Sequence, residues 1–271
     1  MSTMRKFRHS LSRTSARRPV VWYRHRWLKA EDVLLASYPR SGNTWLRFLL
    51  FELLTGQPAT FETINRPDSP VPDILDYRQS PPLLPGGGRL VKTHEPYRRD
   101  YRKAIYLVRD VRDVVSSEYN YLRRLGIHFT SFDAFLALFL KGKVNGYGSW
   151  DRHVCSWLEA ERVNRGNILV VKYEAMRYQE KSTLPQILDF LEMDVDMKMV
   201  ESAIQSNSIE AMRDREAMAR ETVYKDYREE ISFVGEGLVG GWRQRLSESQ
   251  IQLIEMKSQE VLKQLDYDLE S

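Results

Sequence analysis

The chain is poor in residues that staple or span. Its 271 residues include one cysteine, Cys155, so no intramolecular disulfide can close and no zinc-type cysteine spacing exists. A reducing compartment fits that usage. The longest apolar stretches, around Trp45–Leu54 and Phe132–Leu140, are short or interrupted by Arg47, Glu52 and Asp133. Neither reaches the roughly 18–20 apolar residues that a spanning helix needs. The start also lacks the apolar core of a secretory signal. A soluble, cytoplasmic protein without a transmembrane segment is expected. No set of His, Asp and Glu shows metal-ligand spacing, so no metal is expected. The Gly-Lys-Ser/Thr ending of an ATP-binding loop is missing too, because Gly42 is followed by Asn43.

Negative charge is absent from the beginning of the chain. Residues 1–29 hold nine Lys or Arg and no Asp or Glu, so the net +4 hides a remainder of 32 basic against 37 acidic residues, a net of −5. That remainder is no basic nucleic-acid binder, and no specific nucleic acid is expected as a partner. The basic start can meet an anionic surface such as membrane phosphates, or a partner protein. Being rich in Arg and Ser, it also resembles an organelle transit peptide. The plainest expectation for 1–29 is a solvated, partly disordered extension. The folded domain is then 30–271, and its chemistry should survive deletion of the extension. At 42% apolar and 29% charged residues overall, a buried core is affordable.

From residue 33 strands and helices alternate, without an internal repeat. Val33–Tyr38, Arg89–Thr93, Ala104–Val108 and Ile168–Tyr173 read as short apolar strands. A helix from Asn43 to Leu54 is apolar almost all round and should be buried against the sheet. Asp110 caps a helix in which Val111, Val114, Val115 and Leu122 recur at helical spacing. Further helices cover 131–140 and 149–164, and a last one opens on a Ser247/Gln250 capping box. Between them, 66–88 is a connection rich in Pro and Gly. This alternation predicts an α/β fold whose central parallel sheet is flanked by helices, with ligands at the carboxyl ends of the strands.

Polar residues cluster at three such ends. At Tyr38-Pro39-Arg40-Ser41-Gly42-Asn43-Thr44-Trp45 a strand turns straight into a helix. Its first N–H groups form an anion site, Ser41, Asn43 and Thr44 add donors, and Arg40 adds a permanent charge. An ordinary strand–helix turn that happens to be polar is the bland alternative. At Lys92-Thr93-His94-Glu95-Pro96, His94 is suited to take a proton near neutral pH and Lys92 to neutralise charge in flight. Read alone, His94 is more often a structural hydrogen-bonder, and His9, His25, His128 and His153 receive that reading. At Arg109-Asp110-Val111-Arg112-Asp113, with Ser117 two turns into the helix, an arginine and a hydroxyl can pin a second phosphate. A charged helix start explains the acids there equally well.

The order PRSGNTW, KTHEP, YLVRDVRDVVSSEY, GSWDRHVCSW, ILVVKYEAM and GLVGGW resembles the cytosolic-type sulfotransferases, with motifs in family order and spacing from residue 33 to 243. The resemblance implies a P-loop nucleotide-kinase-like three-layer fold and 3′-phosphoadenosine 5′-phosphosulfate (PAPS) as donor. Its sulfuryl group would pass to a hydroxyl or amine of a small-molecule acceptor by in-line attack. By that resemblance Arg40, Ser41, Gly42, Asn43 and Thr44 hold the 5′-phosphosulfate and Trp45 stacks on the adenine. Arg109 and Ser117 take the 3′-phosphate, and Tyr173 and Ser208 reach the nucleotide. His94 is the base, beside Lys92 and Arg40 at the reacting centre.

Four places depart from the family pattern. Arg40 stands where cytosolic members usually carry lysine, and Ile209 where an aromatic is usual. Gly235-Glu236-Gly237 replaces the Arg-Lys-Gly that clamps the 3′-phosphate, so Arg243 or Arg245 is expected to substitute. Residues Arg243–Gln252 do not match the usual dimer-docking segment, leaving the oligomeric state open. The acceptor is expected to be shaped by the segments near 57–87, 124–148 and 210–232. Their Tyr77, Phe129, Tyr147, Tyr224 and Tyr227 suit a ring-bearing or amphipathic acceptor and suit loop packing equally well. Two rival readings are a small-molecule kinase on the same scaffold and a nucleotide-binding relative without catalysis.

Overall fold

Four short apolar runs come together as one all-parallel sheet. The structure, a computed structural model, describes residues 17–219, 232–235 and 237–270. Strands β1 (Val33–Ser37), β2 (Leu90–Thr93), β3 (Lys103–Val108) and β4 (Ile168–Lys172) lie in the order β2-β1-β3-β4. Ala36 stands opposite Thr93 on one side and Tyr106 on the other. The strands therefore finish together, at Ser37, Thr93, Val108 and Lys172. Each boundary falls within a residue of the sequence expectation, except that Tyr173 opens a helix instead of closing β4.

Because successive strand residues point to opposite faces, runs that are apolar throughout demand cover on both. One face presents Leu34, Ala36, Val91, Tyr106 and Val108 to Val114 and Val115, Phe135, Trp157 and Ile254. These side chains come from α3 (Val111–Arg124), α4 (Phe132–Leu140), α5 (Trp150–Val163) and α10 (Glu248–Gln264). The other face presents Val33, Leu35, Ile105, Leu107 and Val171 to Leu46, Leu49, Leu50, Ile187 and Val200, from α2 (Asn43–Thr55), α7 (Glu180–Phe190) and α8 (Met197–Ser206). The result is the three-layer α/β fold expected. Asp110 and Ser247 cap their helices as read, the latter in a complete capping box.

The apolar all-round α2 is buried, its one cation included. Arg47 is 4% exposed and donates to the carbonyls of Val71 (2.9 Å) and Ile64. Those bonds satisfy a charge that would be costly to bury bare, and they tie the 66–88 connection to the body.

The second half of residues 1–29 packs against the body. Helix α1 (Arg17–His25) buries Val21 and His25, four residues apart on one face. The His25 Nδ1–H donates to the Val21 carbonyl at 2.6 Å, which leaves Nε2 to accept from the Tyr101 hydroxyl, also at 2.6 Å. Tyr77 donates to the Arg24 carbonyl (2.8 Å) and Arg89 to that of Trp27 (2.9 Å). A charge count draws the boundary at residue 29; packing does not. Residues 1–16 lie outside the described residues.

Deleting residues 1–16 removes none of these contacts, whereas deletion through 29 removes all of them. Losing a buried valine and several hydrogen bonds costs on the order of 3–5 kcal/mol, or roughly 6–20 °C of Tm in a chain of this size. A comparison of the two truncations by calorimetry should show that gap. Equal Tm values would mean α1 is not part of the domain.

Candidate active site

The turn from β1 into α2 is built around backbone that most residues avoid. Arg40 (φ 68°) and Gly42 (φ 90°) both sit in the left-handed region, which costs a side-chain-bearing residue energy and is tolerated where surroundings enforce it. At Gly42 there is a second constraint. A Cβ there would lie 2.4 Å from the Tyr173 ring, so only glycine lets that ring press onto the turn. Gly42 caps α2 without a side-chain hydrogen bond, leaving first-turn N–H groups for an anion. The next junction differs. There the Asp110 carboxylate accepts from the Arg112 N–H at 2.9 Å and occupies the start of α3.

Three polar atoms beside the turn are buried with no hydrogen-bond partner among the described residues: Ser41 Oγ, Asn43 Oδ1 and Arg109 Nε. Buried polar atoms are nearly always paired. A hydroxyl and a guanidinium N–H are donors an anionic group would satisfy, so Ser41 and Arg109 fit a phosphate-bearing ligand. Asn43 Oδ1 can only accept, and its Nδ2 already donates to the Leu35 carbonyl and Ser37 Oγ. Thr44 follows, half-buried.

Four of the expected nucleotide residues are brought together. Arg40 donates from Nε to Ser117 Oγ (3.0 Å) and from Nη2 to the Phe233 carbonyl (3.1 Å). Its guanidinium lies over the rings of Tyr121 and Phe233 at 4.8 and 4.7 Å. Arg109 donates to the Arg40 carbonyl (3.3 Å) and the Leu238 carbonyl (3.0 Å). It lies 4.4 Å over the Tyr173 ring and 3.6 Å from the Asp113 carboxylate. Among the described residues Arg40 has no ion-pair partner, so its charge is available to a ligand.

An aromatic corner adjoins this group. Trp45 stands edge-on to Tyr173 at 6.1 Å and donates to the Asn207 carbonyl at 2.9 Å. Ser208 accepts from the Ala211 N–H at 3.3 Å and caps α9 (Ile209–Met218), so its hydroxyl is engaged locally. Ile209 packs directly on Gly237, where a Cβ would lie 2.2 Å from it. Glu236 lies outside the described residues. Of its expected substitutes, Arg243 pairs with Glu270 at 2.7 Å.

Lys92 and His94 stand at the end of β2. The Lys92 ammonium lies 2.6 Å from the Asp73 carboxylate. Burial opposes ionisation of Asp73, but the charge and hydrogen bond of Lys92 prevail and hold it at about 2. His94 Nδ1 lies 2.8 Å from the Ser37 carbonyl. A carbonyl can only accept, so Nδ1 carries the proton and Nε2 is a free lone pair. Burial and then the Lys92 charge hold the imidazole well below its ordinary value, so it is neutral near pH 7. Tyr147 faces the ring edge-on at 5.7 Å, and the His94 carbonyl accepts from His153 Nε2 at 3.0 Å.

Several participants escape a reading of motifs. Asp73 sits in the Pro-rich connection and reaches Lys92 because residues 72–74 pair beside β2: Lys92 N–H donates to the Pro72 carbonyl and Ile74 N–H to the Lys92 carbonyl, both at 2.8 Å. Glu118, 2% exposed, takes an Asn145 amide hydrogen at 3.3 Å. Burial raises its carboxyl against the pull of Arg40. Among the described aromatics expected to line an acceptor, only Tyr147 meets His94. Tyr77 is 2% exposed and held by α1, and Phe129 packs on Tyr119 and Phe135. Tyr224 and Tyr227 lie outside the described residues. No group of three or more His, Cys, Asp or Glu among the described residues could hold a metal ion.

Gly42→Ala should strain the turn by about 1–3 kcal/mol and lower Tm by roughly 2–12 °C. Adding Tyr173→Ala should return the steric part of that loss, read as a double-mutant cycle. Strict additivity would mean ring and turn do not touch.

The chain matches the family model for a sulfotransferase domain over residues 30–266. Sulfotransferase 2A1 of Mus musculus is 29% identical over 251 residues, covering 86% of this chain and 85% of its own. Sulfotransferase 1 family member D1 of Mus musculus is 26% identical over 245 residues, covering 84% and 82%. Among solved structures, mouse sulfotransferase SULT7A1 complexed with PAP has a TM-score of 0.68 at 26% identity, over 88% of this chain and 86% of that one. Retinol dehydratase in complex with androsterone and inactive cofactor PAP has a TM-score of 0.67 at 22% identity, over 90% and 83%, a likeness of fold. The motif order read from the sequence and the family match over the same stretch agree: the chain belongs to the sulfotransferase family.

Proposed function

We propose that the chain transfers the sulfuryl group of PAPS to a hydroxyl or amine of a small molecule, with His94 as general base. The observation that carries this reading is the His94 imidazole. Its Nδ1–H is fixed on the Ser37 carbonyl at 2.8 Å, at the strand end that leads into the Arg40–Thr44 turn, and its pKa is lowered by burial and Lys92. A neutral ring with Nε2 unprotonated is ready to take a proton.

The donor supplies an activated sulfuryl group on a phosphate leaving group. Loose, in-line group transfer of this type needs positioning and charge stabilisation more than covalent chemistry. On this reading the uncapped start of α2, with Ser41, Asn43 and Thr44, holds the 5′ side, and Arg40 offsets charge growing on the leaving oxygen. Arginine stays protonated, so its part is electrostatic. Arg109 and Ser117 hold the 3′-phosphate, while Trp45 and Tyr173 frame the adenine, with Ser208 at its margin. Lys92 faces the transferred group, with Asp73 fixing its position. No metal is assigned a step. The acceptor class favoured is ring-bearing or amphipathic, given Tyr147 edge-on to His94. A cytoplasmic location is part of the proposal, supported by the single cysteine; no helix among the described residues is long and apolar enough to cross a membrane.

Incubation with sulfur-labelled PAPS and a panel of phenols, sterols and amines tests the activity. With an acceptor in hand, His94→Ala should lower kcat by roughly 10²–10⁴ while nucleotide affinity stays near normal. The free base is the active form and its pKa is depressed. The acid limb of kcat/KM should therefore fall below the ordinary histidine value of 6.5. Wild-type turnover in the variant would remove His94 from the role.

A further inference from the structure

Helix α1 turns its apolar side outward. At about 100° per residue, Val21 and His25 point into the body, which leaves Tyr23 opposite them and Val20 and Trp22 on the two flanks, with Trp27 just beyond the last turn. These four are 41%, 62%, 51% and 48% exposed. Two indoles, a phenol and a valine open to solvent within eight residues form a cluster unlike scattered surface apolars, and such clusters mark interaction sites. Arg26 lies among them, its guanidinium 3.8 Å over the Tyr23 ring and 4.9 Å from that of Trp27. The patch belongs to the acid-free stretch that carries nine Lys or Arg by residue 29.

We propose that α1 and the turn after it, with the exposed Arg26 and Lys29, form a peripheral docking surface for an anionic lipid bilayer. The chemistry matches on two counts. Trp and Tyr prefer the interface between headgroups and acyl chains, where ring and polar edge are both satisfied. Basic residues beside them gain from an anionic leaflet, and stable peripheral binding usually needs both signals together. Docking also leaves the candidate active site open. Arg89, which holds Trp27, immediately precedes β2, and Tyr101, which holds His25, lies just before β3. The helix therefore sits at the amino ends of the strands, and Lys92, His94 and Arg109 lie at the carboxyl ends.

A flat surface fits the charge distribution better than a nucleic acid does. Outside residues 1–29 the chain is net −5. A flexible polyanion that wraps beyond α1 meets that like-charged body and is repelled by it, whereas a bilayer meets only the face turned toward it. The aromatic patch also presents Val20, which has no stacking role with bases but inserts readily among acyl chains.

Co-sedimentation of the full chain with vesicles tests the proposal. Vesicles of phosphatidylcholine with about 30% phosphatidylserine should bind at least about tenfold more protein than pure phosphatidylcholine, and NaCl near 0.5 M should abolish the difference. The triple variant Trp22→Ala, Tyr23→Ala, Trp27→Ala should lose that binding by at least about tenfold with Tm and nucleotide affinity unchanged, because all three side chains are exposed. Should the triple variant lose Tm, Trp22→Ser alone, at the most exposed position, should still weaken binding severalfold. Equal binding to both vesicle types would overturn the proposal, as would undiminished binding by the aromatic variants. So would a single-stranded oligonucleotide that displaces the protein from vesicles and itself loses affinity for the triple variant.

Discussion

The approach of Tyr173 onto Gly42 is the contact on which the candidate site depends. The ring stands where a Cβ would have been, so the turn and the end of β4 close to van der Waals distance. Arg109 then lies over the outer side of the same ring at 4.4 Å, and Trp45 meets its edge. A wider turn would separate the uncapped start of α2 from Arg109, the cation that follows β3. Left-handed backbone at Arg40 completes the arrangement, because it sends that side chain back toward Ser117 on α3.

Each cation in the site is positioned without being fully neutralised by contact. Arg40 is held by a hydroxyl, a carbonyl and two ring faces, and Arg109 by carbonyls with Asp113 at 3.6 Å. Asp113 is itself occupied by the N–H groups of Gly240 and Trp242 at 2.9 and 3.0 Å. Fixed charges and dipoles that need not reorganise during a reaction are what make a site effective at stabilising developing charge. Lys92 is the exception, since it faces an ionised carboxylate. That pairing keeps a buried ammonium from being an unpaired charge. It also leaves the neutral His94 beside an ion pair in place of a bare cation.

What could be read from the sequence was what local pattern decides. Strands buried on both faces must be continuously apolar, so Val33–Ser37 and Lys103–Val108 announced themselves. Ser247 with Gln250 declared a helix start because both capping bonds are local. The turn from β1 into α2 was legible because strand, turn and helix are consecutive. Asp73 was not, since its meeting with Lys92 depends on 72–74 pairing beside β2, and no periodicity encodes that. Tyr77 looked like a loop aromatic, but a hydroxyl bonded to α1 and a ring 4.8 Å from Arg89 make it part of the core. Helix α1 was hidden by its own charges, which outvote two inward residues in any composition count.

The central claim is a two-phosphate nucleotide site, with Arg40–Thr44 at one phosphate and Arg109 with Ser117 at the other. Titration calorimetry of 3′,5′-adenosine bisphosphate against adenosine 5′-monophosphate tests it most directly. Each charge-assisted contact contributes about 1.5–3 kcal/mol, so the bisphosphate should bind at least about tenfold more tightly, and Arg109→Ala should narrow that gap while leaving the monophosphate's affinity nearly unchanged. Equal affinity for the two nucleotides, or a gap untouched by loss of Arg109, would contradict the assignment of the site.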